Sequence, residues 1–182
     1  MDGQIGEGRK IVIFCSSSYD IDPKFNQAAR ELIRAACSLG YTIVSGGTVK
    51  GTMGVISDEV VRCGGHHVGV LPRFMEYCRY GSLDETVWTD TMAQRKEKMR
   101  EGTCAAIALP GGIGTLDELI DTLTLAKLDR YPGKVFALNL DGFYDPLEVL
   151  LDHYVSTGML DAGSRELIKF PRSVEELAGY LG

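Results

Sequence analysis

Short apolar runs alternate along the chain with longer stretches in which apolar residues recur every three or four positions. Ile11–Cys15, Tyr41–Ser45, Val68–Leu71, Ala105–Leu109 and Val135–Leu140 are the runs, and Thr86–Thr89 reads as a shorter one. Near-continuous apolar runs of this length predict strands buried on both faces. Between the first two, Phe25, Ala28, Ala29, Leu32, Ile33 and Ala36 form one helical stripe. They predict a helix over Lys24–Leu39, opened near Pro23 and stopped by Gly40. Further helices are expected from about Gly54 to Arg62, over Thr91–Glu101, from the Pro110–Thr115 loop to about Lys127, near Pro146–Ser156 and over Ser173–Leu181. Strand–helix alternation of this kind predicts an α/β fold: one doubly wound parallel sheet with helices on both faces. The whole chain, 1–182, reads as one domain, with residues 1–9 expected to be a flexible N-terminus. Ligands of such folds sit at the carboxyl ends of the strands. That singles out three loops: Cys15–Tyr19, Gly46–Gly54 and Pro110–Thr115.

Composition adds one anomaly. Glycine supplies 22 of 182 residues, well above the ordinary share of about 7%. No period accompanies them, which excludes collagen, and seven lie in the Gly46–Gly54 and Gly111–Gly114 loops. The net charge of −6 argues against a nucleic-acid partner, which needs a basic face. Five cysteines, odd in number and without a C-x-x-C pair, read as buried free thiols in a reducing compartment. Neither a signal-like apolar segment nor an 18-residue apolar stretch is present, so a cytoplasmic protein away from membranes is expected. His66, His67 and His153 form no ligand pattern, and no metal or cofactor is expected.

Pro110-Gly111-Gly112-Ile113-Gly114-Thr115 follows a predicted buried strand and opens a helix. Glycines there let a ligand approach the backbone, and the helix start offers unpaired N–H groups, which suits a phosphate. The known fingerprints fail. Asp117 stands where the dinucleotide pattern starting at Gly112 needs its third glycine, and Thr52 stands where a Walker loop needs lysine. Thr115-Leu116-Asp117-Glu118 also fits a capping box, as does Ser173-Val174-Glu175-Glu176. Glu118 therefore has two open readings: a helix cap, or a carboxylate beside the anion site. Arg95 falls with Met92 and Met99 on the apolar face of its helix. It reads either as a snorkelling or surface-paired arginine or as a fork for a carboxylate or phosphate. Leu119, Leu123 and Leu125 read as core or as a dimer surface.

The sequence Pro110-Gly111-Gly112-Ile113-Gly114-Thr115-Leu116-Asp117-Glu118 resembles the P-G-G-x-G-T-x-x-E signature of the LOG (Lonely Guy) family. Gln94-Arg95-Lys96 with Met99, Gly46-Gly47 to Met53-Gly54, and Phe14-Cys15-Ser16-Ser17-Ser18 resemble its other motifs in order, from about Lys10 to Leu181. The resemblance implies a Rossmann-like cytokinin riboside 5′-monophosphate phosphoribohydrolase, forming homodimers or larger assemblies with sites near the subunit interface. Its substrate would be a nucleoside 5′-monophosphate, cleaved by water to free base and ribose 5-phosphate. Carried over by motif, Arg95 and Glu118 are the catalytic pair. Gly111, Gly112, Gly114 and Thr115 hold the phosphate, with Lys96 and Thr124 nearby, and Gly46, Gly47, Met53 and Gly54 complete the binding set. The segment Arg73–Asp90 departs from plant-type members and is expected to shape the base pocket. Relatives carry a lysine decarboxylase label, for which no lysine here has a recognisable Schiff-base context. The alternatives are a non-catalytic carrier of a nucleotide or molybdenum cofactor on the same fold, and a nucleosidase for ordinary nucleotides.

Overall fold

A computed structural model describes residues 9–182. Of the expected flexible stretch, residues 1–8 lie outside the described part. Arg9 is tied down, its carbonyl accepting from Thr42 N at 3.0 Å and its guanidinium lying over the Tyr41 ring.

Seven strands form one all-parallel sheet: β1 (Lys10–Phe14), β2 (Thr42–Ser45), β3 (His67–Pro72), β4 (Glu85–Thr89), β5 (Thr103–Ala108), β6 (Lys134–Ala137) and β7 (Ile168–Lys169), ordered β4-β3-β2-β1-β5-β6-β7. The helices are α1 (Pro23–Ser38), α2 (Gly51–Cys63), α3 (Met92–Arg100), α4 (Ile113–Lys127), α5 (Asp145–Ser156), α6 (Ala162–Arg165) and α7 (Val174–Leu181), with 3-10 turns at Arg73–Cys78 and Leu140–Gly142.

The two-residue period of β1 divides the core. Ile11 and Ile13 face one layer with Leu32, Ile33, Ile56 and Leu177, from α1, α2 and α7. Val12 and Phe14 face the other with Met99, Leu119, Leu123 and Leu151, from α3, α4 and α5. The expected doubly wound fold is therefore present, and because all strands are parallel, their carboxyl ends share one edge. The chain steps outward from β1 to β4, returns over α3 to place β5 beside β1, then steps out the other way. The crevice where these directions diverge is the ligand position of such sheets.

Several expectations are corrected. α2 begins at Gly51 rather than about Gly54, so the second glycine loop already contains a helical turn. β7 and α6, of two and four residues, are too short to carry a hydrophobic period. All five cysteines are free, but only Cys15 and Cys78 are buried, and Cys63 and Cys104 are exposed on the ends of α2 and β5. Leu119 and Leu123 are core, and Leu125 is partly buried against it. The exposed apolar stripe of α4 is instead Ile113, Leu116 and Ile120.

Candidate active site

A cavity of about 400 Å³ lies across the strand ends, within the size range of small-molecule sites. Its walls follow strand order. Gly112–Thr115 follows β5, Ser16–Ser18 follows β1, Gly46 to Met53 follows β2, Met75 follows β3 and Met92 follows β4. With about 4.8 Å between neighbouring strands, β5 to β3 spans roughly 14 Å. One end of the cleft is thus glycines and hydroxyls. Thioethers line much of the rest: four of the six methionines, Met53, Met75, Met92 and Met99, border the cleft, with Met75 and Met92 at its β3–β4 end.

The polar end is an open helix terminus. The residue capping α4 is Gly112, which has no side chain to offer. The N–H groups of Ile113, Gly114 and Thr115 find no partner among the described residues. A helix start in this state attracts anions. The Thr115 side chain fills the space where a Gly111 Cβ would stand, which fixes glycine there. Thr115 is the third residue of α4 and not its cap, so the capping-box reading of Thr115–Glu118 is overturned. At Ser173–Glu176 the cap is made by side chains: Ser173 Oγ accepts from Glu176 N at 3.1 Å, while Glu176 Oε2 reaches one residue past the cap and accepts from Arg172 N at 2.7 Å.

Glu118 is half-buried and lines the cleft one turn below the open N–H groups. Burial pushes its carboxyl up to about 7, opposed chiefly by the Arg95 guanidinium. A carboxyl tuned to neutral pH is able to hold or release a proton during a reaction.

Arg95 is 6% exposed and reaches the cleft from α3. It neither snorkels nor forms a surface pair. Its Nε donates to Val70 O at 2.9 Å and its Nη2 to Gly46 O at 3.1 Å. Two carbonyls thus lock the plane of a fixed positive charge beside Glu118. Gly46 is needed for this approach, since a Cβ there would collide with Arg95 Nη2.

The other residues carried over by motif divide. Gly112, Gly114, Thr115, Gly46 and Met53 line the cleft. Gly111 backs Thr115, Gly47 packs on Gly69, and Gly54 packs against Val49 O. Lys96 points away, its Nζ 3.0 Å from Asp117 Oδ1. Thr124 sits on the outer face of α4 in a depression with Ile113, Leu116 and Ile120, its hydroxyl donating to Ile120 O. The two glycine loops also differ. The first turn of α2 is occupied by protein, with Thr52 N donating to Ser16 O at 3.0 Å, whereas that of α4 is open.

Sequence reasoning did not single out Lys50 or the Val70 carbonyl, and it reached Met75 only as part of the Arg73–Asp90 segment. Met75 belongs to the Arg73–Cys78 turn, which is stapled over the second glycine loop by Val49 N to Cys78 O and Tyr80 N to Gly47 O, both 2.9 Å. Its position just past a strand end was the available signal. Among the described residues, no group of three or more His, Cys, Asp or Glu is placed to hold a metal ion.

A doubly wound parallel sheet with a ligand-sized cleft across its strand ends defines a Rossmann-like α/β protein. Residues 53–181 match the family described as "possible lysine decarboxylase". Cytokinin riboside 5′-monophosphate phosphoribohydrolase LOG2 of Arabidopsis thaliana is 35% identical over 162 residues, 88% of this chain and 76% of the relative. The probable phosphoribohydrolase LOGL2 of rice, Oryza sativa subsp. japonica, is 33% identical over 171 residues, 93% and 70% of the two chains. The chain belongs to this family, which includes the LOG phosphoribohydrolases. Among solved structures, the molybdenum cofactor carrier protein of Chlamydomonas reinhardtii superposes with a TM-score of 0.74 at 21% identity, covering 96% of both chains. A molybdenum cofactor binding protein of Rippkaea orientalis gives 0.72 at 20% identity, covering 97% of both. These two likenesses speak for the fold alone.

Proposed function

We propose that the protein is a nucleoside 5′-monophosphate phosphoribohydrolase, cleaving the bond between base and ribose with water. The observation that carries this reading is the raised Glu118 carboxyl beside locked Arg95, one helical turn from an open anion site. The 5′-phosphate lies on the N–H groups of Ile113, Gly114 and Thr115. Ribose lies over Glu118, and the base extends toward Met75 and Met92. Departure of the base leaves positive charge on the ribose, which the Glu118 carboxylate stabilises. Glu118 also takes the proton of the water whose oxygen bonds to C1′, and that proton is passed to the departing base nitrogen, which returns Glu118 to its carboxylate form. Arg95 binds substrate rather than forming a fixed ion pair with Glu118, because its Nε and Nη2 donate to backbone carbonyls. Methionines adapt to variable apolar shapes, so the Met75–Met92 end suits bases with and without an apolar substituent, as the relatives' cytokinin names imply. Base preference is set there.

The working form is a homodimer or larger assembly. Thr124, Leu116 and Ile120 lie outside their own cleft, in a depression that shares only Ile113 with it, so Thr124 reaches a substrate only across a subunit boundary. Five free cysteines support a reducing, cytoplasmic location. The net charge of −6 disfavours a nucleic-acid partner. Among the described residues, no helix is long and apolar enough to cross a membrane.

A panel of 5′-monophosphates and the matching nucleosides tests the reading. Base release from monophosphates alone is expected. Tight binding without release would replace the hydrolase with a carrier, and equal release from nucleosides would make it a nucleosidase.

A further inference from the structure

We propose that Ser45 and His67 are positioning residues that hold Arg95 in its working orientation through the Gly46–Gly47 turn. The two anchors of Arg95 differ in rigidity. Val70 lies inside β3, its strand paired on both sides. Gly46 lies in the turn leaving β2, where the next residue, Gly47, has φ of +67°. A glycine turn holds a carbonyl in place only if something fixes the turn.

Ser45 and His67 supply that support from behind. Ser45 Oγ accepts from Gly47 N at 3.1 Å and lies 2.8 Å from His67 Nε2. Both side chains are fully buried. Burial lowers His67 to about 4, so the ring is neutral at neutral pH. The bonds balance when the Ser45 hydroxyl donates to a bare Nε2 while its oxygen receives the Gly47 N–H. The ring proton then sits on Nδ1, which has no partner among the described residues. An unmet buried N–H is destabilising. An apolar side chain of similar size would avoid that cost, so packing alone does not explain a histidine here. Its other nitrogen does: the chain His67–Ser45–Gly47 fixes the turn whose Gly46 carbonyl fixes Arg95.

The relay rests on the hydrolase reading only for its kinetic test. A double-mutant cycle with Ser45→Ala and Arg95→Ala measures kcat/KM for AMP. Ser45→Ala is expected to lower it roughly ten- to hundredfold, as for a small misplacement of a catalytic group, and to lower it no further once Arg95 is alanine. Thr103→Val, which removes another buried hydroxyl bonded to Tyr131, leaves kcat/KM unchanged. His67→Leu removes the unmet N–H but also the acceptor of the Ser45 hydroxyl, so it is expected to change Tm little while showing the drop, and it serves if Ser45→Ala does not fold. Equal losses in both Arg95 backgrounds, or no loss from either variant, would overturn the relay. If the unmodified protein releases no base, the hydrolase reading falls. The relay is then judged on the guanidinium 15N–1H signals of Arg95 in ligand-free protein. They shift in Ser45→Ala and His67→Leu and hold in Thr103→Val; signals unmoved in the first two would overturn it.

Discussion

Thr115–Glu118 and Ser173–Glu176 carry the same four-residue pattern and do opposite things. At the second, Ser173 is the cap: its hydroxyl accepts from Glu176 N and the Glu176 carboxylate accepts from Arg172 N, so side chains cover N–H groups at the start of α7. At the first, the Pro-Gly-Gly upstream lets the helix begin early, with a glycine cap, so Thr115 is already inside α4. The N–H groups that a capping box would cover stay open, and Glu118 turns to the cleft with its proton held up to about 7. One helix end is finished for stability and the other is left unfinished for a ligand. The pattern is the same; the residues before it decide.

The largest test of this contrast exchanges each glutamate for glutamine. Glu118→Gln is expected to lose about a thousandfold in base release, within the range of acid–base catalysis, while Glu176→Gln stays within about twofold. Comparable losses would break the comparison. Next, Arg95→Lys keeps the charge but loses the two-carbonyl lock, and kcat/KM for a monophosphate should fall about a hundredfold. A smaller effect is the pH response. The unligated enzyme's kcat/KM should rise through about pH 7 as Glu118 ionises, and a profile flat from 6 to 8 would remove Glu118 as the base. Stability moves the other way. The folded carboxyl keeps its proton where the unfolded one has lost it, so Glu118 stabilises the fold least above about pH 7. Glu118→Gln should therefore raise Tm at pH 8 and give no gain at pH 4. The smallest effect separates the two hydroxyls. Ser173→Ala should cost about 1 kcal/mol in denaturant unfolding, as a lost cap does. Thr115→Ala should cost less stability and raise KM for the monophosphate.

The strands and long helices were legible because their apolar runs and stripes are strong. β7 and α6 are too short to repeat a period. The cleft glycines, Arg95 and Glu118 were legible from their motifs, but the choice between cap and carboxylate was not. It depended on where α4 starts, a shift of three residues that pattern alone does not fix. Lys96 and Thr124 follow the same lesson: each shares a helix with a cleft residue, but Lys96 stands about 100° around α3 from Arg95 and Thr124 about 240° around α4 from Glu118, so each is on another face. The support of Arg95 by Val70 and Gly46 joins residues 25 and 49 positions away, and no local spacing announces such contacts.

The central claim is that the open α4 terminus, Arg95 and Glu118 together break the bond between base and ribose. It is tested most directly by following AMP by NMR with the unmodified protein and with Glu118→Gln side by side. The account predicts adenine and ribose 5-phosphate from the first, and bound but intact AMP with the second. Equal product from both, or bound AMP left intact by both, would contradict it.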